Sequence, residues 1–465
     1  NKGPVYMKST QPLYLSLYEK LKKQIIEGLY HSNDKFPSKR QLSEHLSMSH
    51  TTIEHAYQLL LDEGFIYSKP RSGYYVSDIE SLPVVNTESY HDYMGNEINE
   101  GSYNNDGPRY AFNLAEIDSE SFPMHIFRKY AKDVFEDDQL DLLQRGEVQG
   151  VYALRQQIAH YLFNSRGVTC HPNQIIIGSS TSQLLDMITN LLKHEKFIIE
   201  KPSYPPIKHV LDKKNMNYLQ VPVDKNGIQI QPILNSQNNV LYITPSHQFP
   251  TGHVTNLKKR TQLIQWAQKD TYRYIIEDDY DSEFRYFGKP IPALQSLDTK
   301  GKVIYISTFS KSLFPSCRIA YIVLPEKVMN TYKQRRFKEG NTVPVHLQHM
   351  VARFMSSGSF ERHLNKMRRI YRDKLNYILK KLAQYSEQLK IEGALTGMHF
   401  TLTVMNGLSV PQCLEKAKKN NLKLELYNYE DTPSKYPKFI LGFGGIKQDE
   451  LEDHVNALIN SLIIK

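Results

Sequence analysis

Six short apolar runs constrain the fold from about residue 111 onward more than any other feature of the sequence. Helical stretches such as SQLLDMITNLL and TNLKKRTQLIQWAQKD separate several of them. Continuous apolar strands with helices between them are typical of a largely parallel sheet that is covered on both faces. We therefore predict an α/β fold built on such a sheet. The runs are QIIIG, KFIIEK, NVLYITP, YRYIIED, VIYIST and RIAYIVLP.

The pattern changes near residue 345. A long helical region, about 345–388, leads to the strand-like segments KIEGALTGMHFTLTV, LKLELYN and KFILGFG. A closing helix then presents its apolar residues on one face. We expect a smaller α+β lobe over about 345–465, within a domain that spans 111–465. The predicted apolar face consists of Leu451, Val455, Leu458, Ile459 and Leu462.

The first part of the chain, residues 7–78, has a different plan. LYLSLYEKLKKQIIEGLY places Leu13, Leu17, Leu21 and Ile25 at helical spacing, and FPSKRQLSEHLSMSHTTIEHAYQLLLDEGF predicts two short helices joined by SMS. FIYSKPRSGYYVSD alternates like a hairpin with its turn at PRSG. This order predicts a winged helix-turn-helix, in which the second helix of the pair enters the major groove of DNA. On pattern alone, a helical protein-interaction module is the alternative.

Residues 79–110 are polar, rich in Asn, Gly and Ser, and without periodicity, so we interpret them as a linker. The net charge of +9 permits an anionic partner. The scattered cysteines Cys170, Cys317 and Cys413 lack metal-type spacing and indicate reduced thiols in a cytoplasmic protein. No apolar run approaches the roughly 18 residues that span a bilayer, and we expect no signal peptide.

Polar clusters follow several of the predicted strands, where ligands bind in α/β sheets. GSSTSQ opens a helix and could hold a phosphate through its N–H groups, although an ordinary N-cap is as good an interpretation. EDDYDSEF offers acids for a metal or for a protonated ring nitrogen. STFSK supplies hydroxyls and a lysine, with Arg318 seven residues after Lys311. An amine, an acid and a phosphate cup are the set that pyridoxal 5'-phosphate needs.

The motifs PSHQFPTG (245–252), EDDYDSEFRY (277–286) and TFSKSLFPSCR (308–318) carry a specific resemblance. Residues of about 111–465 resemble fold-type-I aminotransferases. The whole chain resembles the MocR/GabR-type branch of the GntR transcriptional regulators, possessing in its first lobe a Pro-Ser-x-Arg helix followed by a Ser-x-x-Thr recognition helix. The branch includes PdxR-like regulators of vitamin B6 genes.

The resemblance implies a role for each matching residue. Lys311 would bind the aldehyde of the cofactor, Asp278 would face its pyridine nitrogen, Tyr280 would hydrogen-bond its ring hydroxyl, and Tyr204 would stack on its ring. The implied phosphate cup consists of Thr181, Ser182, Thr308, Ser310 and Arg318. The implied DNA contacts are Ser38, Arg40, Ser49, His50, Thr51 and Thr52, with Arg71 and Gly73 in the wing. His50 stands where the family often has Arg.

The resemblance also implies a homodimer, with each winged lobe crossing to its partner, that binds double-stranded operator DNA. Aminotransferases of this type hold the substrate carboxylate with an Arg near the C-terminus, where this chain has Ile440, and GabR-type regulators also use an Arg where this chain has Pro206. Phe249 stands where aminotransferases have an Asn. Lys438 is a possible substitute for the missing Arg. We therefore expect a regulator without full transaminase activity, whose effector is pyridoxal phosphate itself or an amine that reacts with it. The alternatives are an active aminotransferase with an appended DNA-binding domain and a protein that binds no cofactor.

Overall fold

The computed structural model describes residues 12–78, 107–137, 141–288, 291–335, 340–430 and 434–464. The chain divides into two compact units, residues 1–106 and 107–465. Each is described by itself. The predicted linker, 79–110, lies outside the described residues as far as residue 106. Within the described ranges, no helix combines the length and the apolar character needed to cross a membrane.

The described part of the first unit, residues 12–78, contains three helices and a small antiparallel sheet. The helices are α1 (Leu13–Ile26), α2 (Lys39–Leu46) and α3 (His50–Asp62). The strands are β1 (Lys35–Phe36), β2 (Ile66–Lys69) and β3 (Gly73–Val76), in the order β1-β3-β2. Strands β2 and β3 form the predicted hairpin, and residues 70–72 connect them. This arrangement is the winged helix-turn-helix that the sequence predicts.

Serine side chains cap both α2 and α3. Ser38 forms a capping box with Gln41, and the Ser49 hydroxyl accepts a hydrogen bond from the backbone N–H of Thr52. The face of α1 is only partly as predicted. Leu17, Leu21 and Ile25 are buried, whereas Leu13 is 66% exposed because the first turn of the helix extends beyond the core.

An eight-stranded sheet forms the centre of the second unit, in the order β5-β12-β11-β10-β9-β6-β7-β8. Five strands, β6, β7, β9, β10 and β11, run parallel to one another, whereas β12 pairs antiparallel with both β5 and β11. The bounds are β4 Tyr110–Ala111, β5 Ile175–Gly178, β6 Phe197–Lys201, β7 Tyr218–Asp224, β8 Gly227–Ile228, β9 Val240–Ile243, β10 Tyr274–Asp278, β11 Val303–Thr308 and β12 Ala320–Val323.

Both faces of this sheet are buried against helices, as the continuous apolar strands predict. Ile276 and Ile304 belong to one apolar cluster with Leu184 of α6, whereas neighbouring Ile275 belongs to another with Leu263 of α9. The helices are α4 Met124–Asp137, α5 Tyr152–Arg166, α6 Thr181–Leu191, α7 Pro205–Lys213, α8 Ile230–Leu234, α9 Leu257–Gln268, α10 Glu326–Gln334, α11 Val345–Ser356, α12 Ser359–Leu382, α13 Val410–Lys419 and α14 Leu451–Leu462.

The C-terminal lobe is built on a four-stranded antiparallel sheet in the order β13-β14-β17-β16. The predicted helical region 345–388 is two helices, α11 and α12, because Gly358 adopts φ +73° between them. The apolar face of α14 is buried as predicted, except that Ile459 is half-buried. The strands are β13 Leu389–Glu392, β14 His399–Val404, β15 Leu422–Lys423, β16 Glu425–Leu426 and β17 Lys438–Gly442.

A single buried hydroxyl ties α3 to the segment before α2, because Tyr57 Oη donates to the Pro37 carbonyl over 2.6 Å. We expect Tyr57→Phe to lower the free energy of opening of α3 by about 1–2 kcal/mol, since the Pro37 carbonyl loses its partner. Hydrogen exchange of α3 peptides in the full chain measures this change. Tyr67→Phe, which removes an exposed hydroxyl bonded to Asn33, is the matched control. Equal protection of α3 in both variants would contradict the assignment.

Candidate cofactor site and DNA-binding surface

Lys311 lies in the loop 309–319, which joins β11 to its antiparallel neighbour β12. The loop therefore begins at the carboxyl end of β11. The Lys311 ammonium donates a hydrogen bond to the carbonyl of Leu114. Burial lowers the pKa of Lys311 to about 8, although Asp281 and Glu116 favour its charged form. An amine with this pKa has a substantial neutral, nucleophilic fraction near pH 8.

Asp278 is the last residue of β10, the parallel neighbour of β11. One carboxylate oxygen, Oδ2, accepts a hydrogen bond of 2.6 Å from Tyr242 Oη, while Oδ1 is buried and without a partner among the described residues. Burial raises the pKa of Asp278 to about 7, and the Tyr242 bond opposes this rise. The open acceptor fits the protonated ring nitrogen of pyridoxal phosphate, which would supply the missing donor.

The two predicted tyrosines lie together. Their rings are parallel to within 4°, with centroids 6.3 Å apart. Tyr204 precedes the first turn of α7, and burial together with Asp278 raises its pKa to about 12, while Arg318 opposes that rise. Residues from three separate motifs thus act on one another electrostatically. Tyr280 Oη lies 3.1 Å from His247 Nδ1, which is its hydrogen-bond partner in this structure.

The predicted phosphate cup comes from two loops. Thr308 Oγ1 lies 3.0 Å from Ser310 Oγ, and Arg318 is exposed with φ +48° at the end of the same loop. The other two predicted residues lie in the first turn of α6, where Thr181 is buried and Ser182 is exposed. Ser180 caps this helix by accepting from the backbone N–H of Gln183, so the N-cap interpretation of GSSTSQ is also correct.

Sequence reasoning missed a buried group beside Lys311, formed by Asp281, His247 and His399. His247 Nδ1 lies 2.9 Å from an Asp281 carboxylate oxygen, and the two histidine rings have centroids 4.6 Å apart. Burial, His247 and Lys311 together lower the pKa of His399. His247 belongs to the motif PSHQFPTG and Asp281 to EDDYDSEF, so the sequence motifs could have indicated them. His399 comes from β14 of the C-terminal lobe.

The positions that would hold a substrate carboxylate carry no cation. Ile440 is fully buried in β17, opposite Thr401 of β14 and Glu425 of β16. Pro206 lies in the first turn of α7. Lys438 shares the strand face of Ile440, but its ammonium lies 4.1 Å from the centroid of the Tyr427 ring, a cation–π contact.

The predicted DNA contacts lie at the starts of α2 and α3 and in the wing. Thr52 is half-buried, with its hydroxyl 2.7 Å from that of Ser49, and Arg40 pairs with Glu44 over 3.0 Å. Arg71 adopts φ +61° in the turn between the wing strands. Apart from Thr52, all the predicted contacts are exposed, as binding to DNA requires. They are Ser38, Arg40, Ser49, His50, Thr51, Arg71 and Gly73.

Comparisons with known proteins match both units. Residues 13–76 match the model of the gntR family of bacterial regulatory proteins, and residues 113–426 match that of class I and II aminotransferases. The HTH-type transcriptional regulator YdeL of Bacillus subtilis is 36% identical, with 96% of each chain covered. This chain belongs to the MocR-type GntR regulators.

Two other relatives of this regulator have informative names. The probable rhizopine catabolism regulatory protein MocR of Rhizobium meliloti is 29% identical over 97% of this chain and 94% of the relative. The pyridoxine biosynthesis transcriptional regulator PdxR of Corynebacterium glutamicum is 27% identical over 81% of this chain and 80% of the relative.

The kynurenine aminotransferase of Pyrococcus horikoshii has the same fold as the larger unit, with a TM-score of 0.66 and 22% identity over 82% of this chain and 95% of that one. The regulator therefore combines a DNA-binding winged helix with a fold-type-I aminotransferase body, and that fold implies pyridoxal phosphate as its cofactor.

The lowered pKa of Lys311 predicts how fast the cofactor-free regulator takes up pyridoxal phosphate. Only the neutral amine attacks an aldehyde, so the rate should rise with pH until about 8 and then level off, whereas an ordinary lysine with a pKa of about 10.4 keeps gaining reactivity. Stopped-flow absorbance between pH 6 and 10, with Nα-acetyl-lysine as the control, measures the two profiles. A profile that follows the control would contradict the lowered pKa.

Proposed function

We propose that this regulator controls transcription in response to pyridoxal phosphate itself, which would bind to Lys311 as a reversible effector. The observation that carries the proposal is a half-buried lysine of lowered pKa in a site where Ile440 and Pro206 stand at the expected carboxylate-binding positions. When bound, pyridoxal phosphate supplies an electrophilic aldehyde and an electron-withdrawing ring. The protein supplies an amine that gains a neutral form near physiological pH.

The surrounding residues would hold the ring and its phosphate. The unpaired Oδ1 of Asp278 would accept from the ring nitrogen, and the bond from Tyr242 keeps that carboxylate in one orientation. Thr308 and Ser310 would donate to the phosphate, and Arg318 would add a charge that suits an oxyanion. Tyr204 would cover one face of the ring.

The missing arginine argues against an amino acid as the main effector. A carboxylate that enters a buried site without a cation loses its hydration and gains no comparable partner. Ile440 offers none, Pro206 offers none, and Lys438 is engaged with Tyr427. The name of the relative PdxR, a regulator of pyridoxine biosynthesis, agrees with an effector of the vitamin B6 family. The lack of a cation for the substrate carboxylate also supports the absence of full transaminase activity.

The proposal includes a homodimer, as the resemblance to fold-type-I proteins implies. Two winged units related by a two-fold axis would bind two half-sites of an operator, with α3 of each unit in a major groove. Crossing of each winged unit to the partner subunit, through the linker, belongs to the same proposal.

The effector hypothesis predicts the response of the protein–DNA complex. With an operator fragment selected by the protein itself, pyridoxal phosphate alone should change the DNA affinity of the cofactor-free chain by about fivefold or more, a usual size of allosteric coupling. Amino acids without it should have no effect. Lys311→Ala should bind the same DNA, lose the response, and give no mass adduct after borohydride treatment.

Fluorescence anisotropy measures the affinity, and Lys300→Ala, at an exposed lysine of the same unit, is the control that should respond like the wild type. If the complex changed only with an amino acid, pyridoxal phosphate would be a cofactor and not the effector. If the wild-type chain formed no adduct, the covalent site itself would be wrong.

The wing assignment predicts a salt-dependent effect. Arg71→Gln should weaken DNA binding about equally for specific and nonspecific sequences and should reduce the slope of log K against log salt by about 1, as the loss of one phosphate contact does. Lys23→Gln removes a charge that lies exposed on α1 and is the control. An unchanged slope in Arg71→Gln would remove this residue from the interface.

A further inference from the structure

A second cavity of about 410 Å³ lies beside the loop that follows β10, and the proposed function does not use it. It lies between the end of α5, the segment 282–285 with Ile291, and the first half of α12. We call it the arginine cavity. Its floor and walls include Tyr161, Arg166, Glu283, Arg285, Leu364 and Arg368.

The three arginines of the cavity differ in how they are paired. Arg166 is fully engaged, with Asp279 at 2.8 Å, the Ile291 carbonyl at 2.8 Å and Ser246 at 3.0 Å. Arg368 donates from Nε to the Glu283 carbonyl and from one terminal nitrogen to Asn365. Among the described residues, the Arg285 side chain has no hydrogen-bond or ion-pair partner, and its Nε is buried. A partly buried guanidinium without an acceptor is costly, so Arg285 is a free donor.

Two nearly fully buried side chains of the same cavity also have unused polar atoms. Tyr161 is 6% exposed and Glu283 is 8% exposed, and neither Tyr161 Oη nor Glu283 Oε2 has a partner among the described residues. Burial raises the pKa of Glu283 to about 8, so its carboxyl group is mostly protonated at neutral pH and can donate. Glu361 is exposed, where solvent screens its charge.

We propose that the arginine cavity is a second ligand site, which takes a small oxyanion through Arg285, Tyr161 and Glu283. A guanidinium and two hydroxyl donors match the acceptor oxygens of a carboxylate or a phosphate. The volume accommodates a small ligand.

The cavity is connected to the cofactor site by two direct contacts. Arg166 joins the cavity to Asp279, the residue after Asp278. The backbone of Arg285 forms a bridge with Thr396, in the loop that leads to His399. A ligand bound to Arg285 would therefore contact segments that belong to both lobes around Lys311. Such a ligand would be a second effector of the regulator.

The test uses the full-length, cofactor-loaded chain after borohydride reduction, so that the bound cofactor already fills its own phosphate cup. Inorganic phosphate and succinate are titrated separately by calorimetry. We expect at least one of them to bind with a Kd below about 1 mM, and Arg285→Gln to weaken that binding about tenfold or more, since a charge-assisted bond is lost. The control is Arg369→Gln, at an exposed arginine of α12, and this variant should bind like the wild type.

Phosphate and succinate distinguish the two oxyanion chemistries, and binding of either supports the site. Glu283→Gln keeps a donor at this position and should retain binding within about threefold. Far-UV circular dichroism and the midpoint of thermal unfolding show whether each variant is folded. Absence of binding by both anions, equal binding in Arg285→Gln and the wild type, or loss of binding in Glu283→Gln with no change in Arg285→Gln would overturn the proposal.

Discussion

The burial of one amine and one carboxylate at the ends of two adjacent parallel strands is the constraint on which the larger unit depends. Asp278 ends β10, and Lys311 follows the end of β11 by three residues. Asp278 is fully buried and Lys311 is half-buried, and desolvation shifts both pKa values towards neutrality, downward for the amine and upward for the acid. Pyridoxal phosphate would suit both groups, because its aldehyde would be held by the Lys311 amine and its protonated ring nitrogen would donate to Asp278.

Close backbone approaches connect this pair to the C-terminal lobe. Gly397 has φ +76°, and a Cβ atom there would lie 2.3 Å from the His247 ring and 2.4 Å from an Asp281 oxygen. Gly252 and Gly393 also touch through their backbones, at distances that no side chain permits. The loop before β14 is thus packed directly on the motifs around the cofactor site. The charge of Lys311 also contributes to the lowered pKa of His399, a residue of β14.

The elements that local sequence specifies were predictable, and the contacts between distant segments were not. Ser38 and Ser49 cap their helices because their hydroxyls reach N–H groups three residues on, a spacing visible in the sequence. The antiparallel direction of β12 could not be predicted, because a short apolar run has the same pattern in parallel and antiparallel pairs. The Leu114 carbonyl that holds Lys311 is 197 residues away from it, and Tyr242 is 36 residues from Asp278. No periodicity predicts such pairings, because they arise only when the sheet and the lobe close.

Under the proposed function, this regulator differs from an aminotransferase at a few positions beside the cofactor site. An enzyme must hold an amino acid beside its cofactor, and a bidentate arginine does this at a cost in desolvation that only a carboxylate offsets. Here Ile440, at one position where the resemblance expects such an arginine, is fully buried in β17, and the Phe249 ring lies edge to face with those of Tyr204 and Tyr429. Without a cation at these positions, a carboxylate would be left unpaired, whereas Asp278, Thr308 and Lys311 would remain available to the cofactor. Under the proposed function, retention of the cofactor-binding residues with loss of the substrate-binding cation is a small change in sequence, and it would make binding of the cofactor the event to which the protein responds.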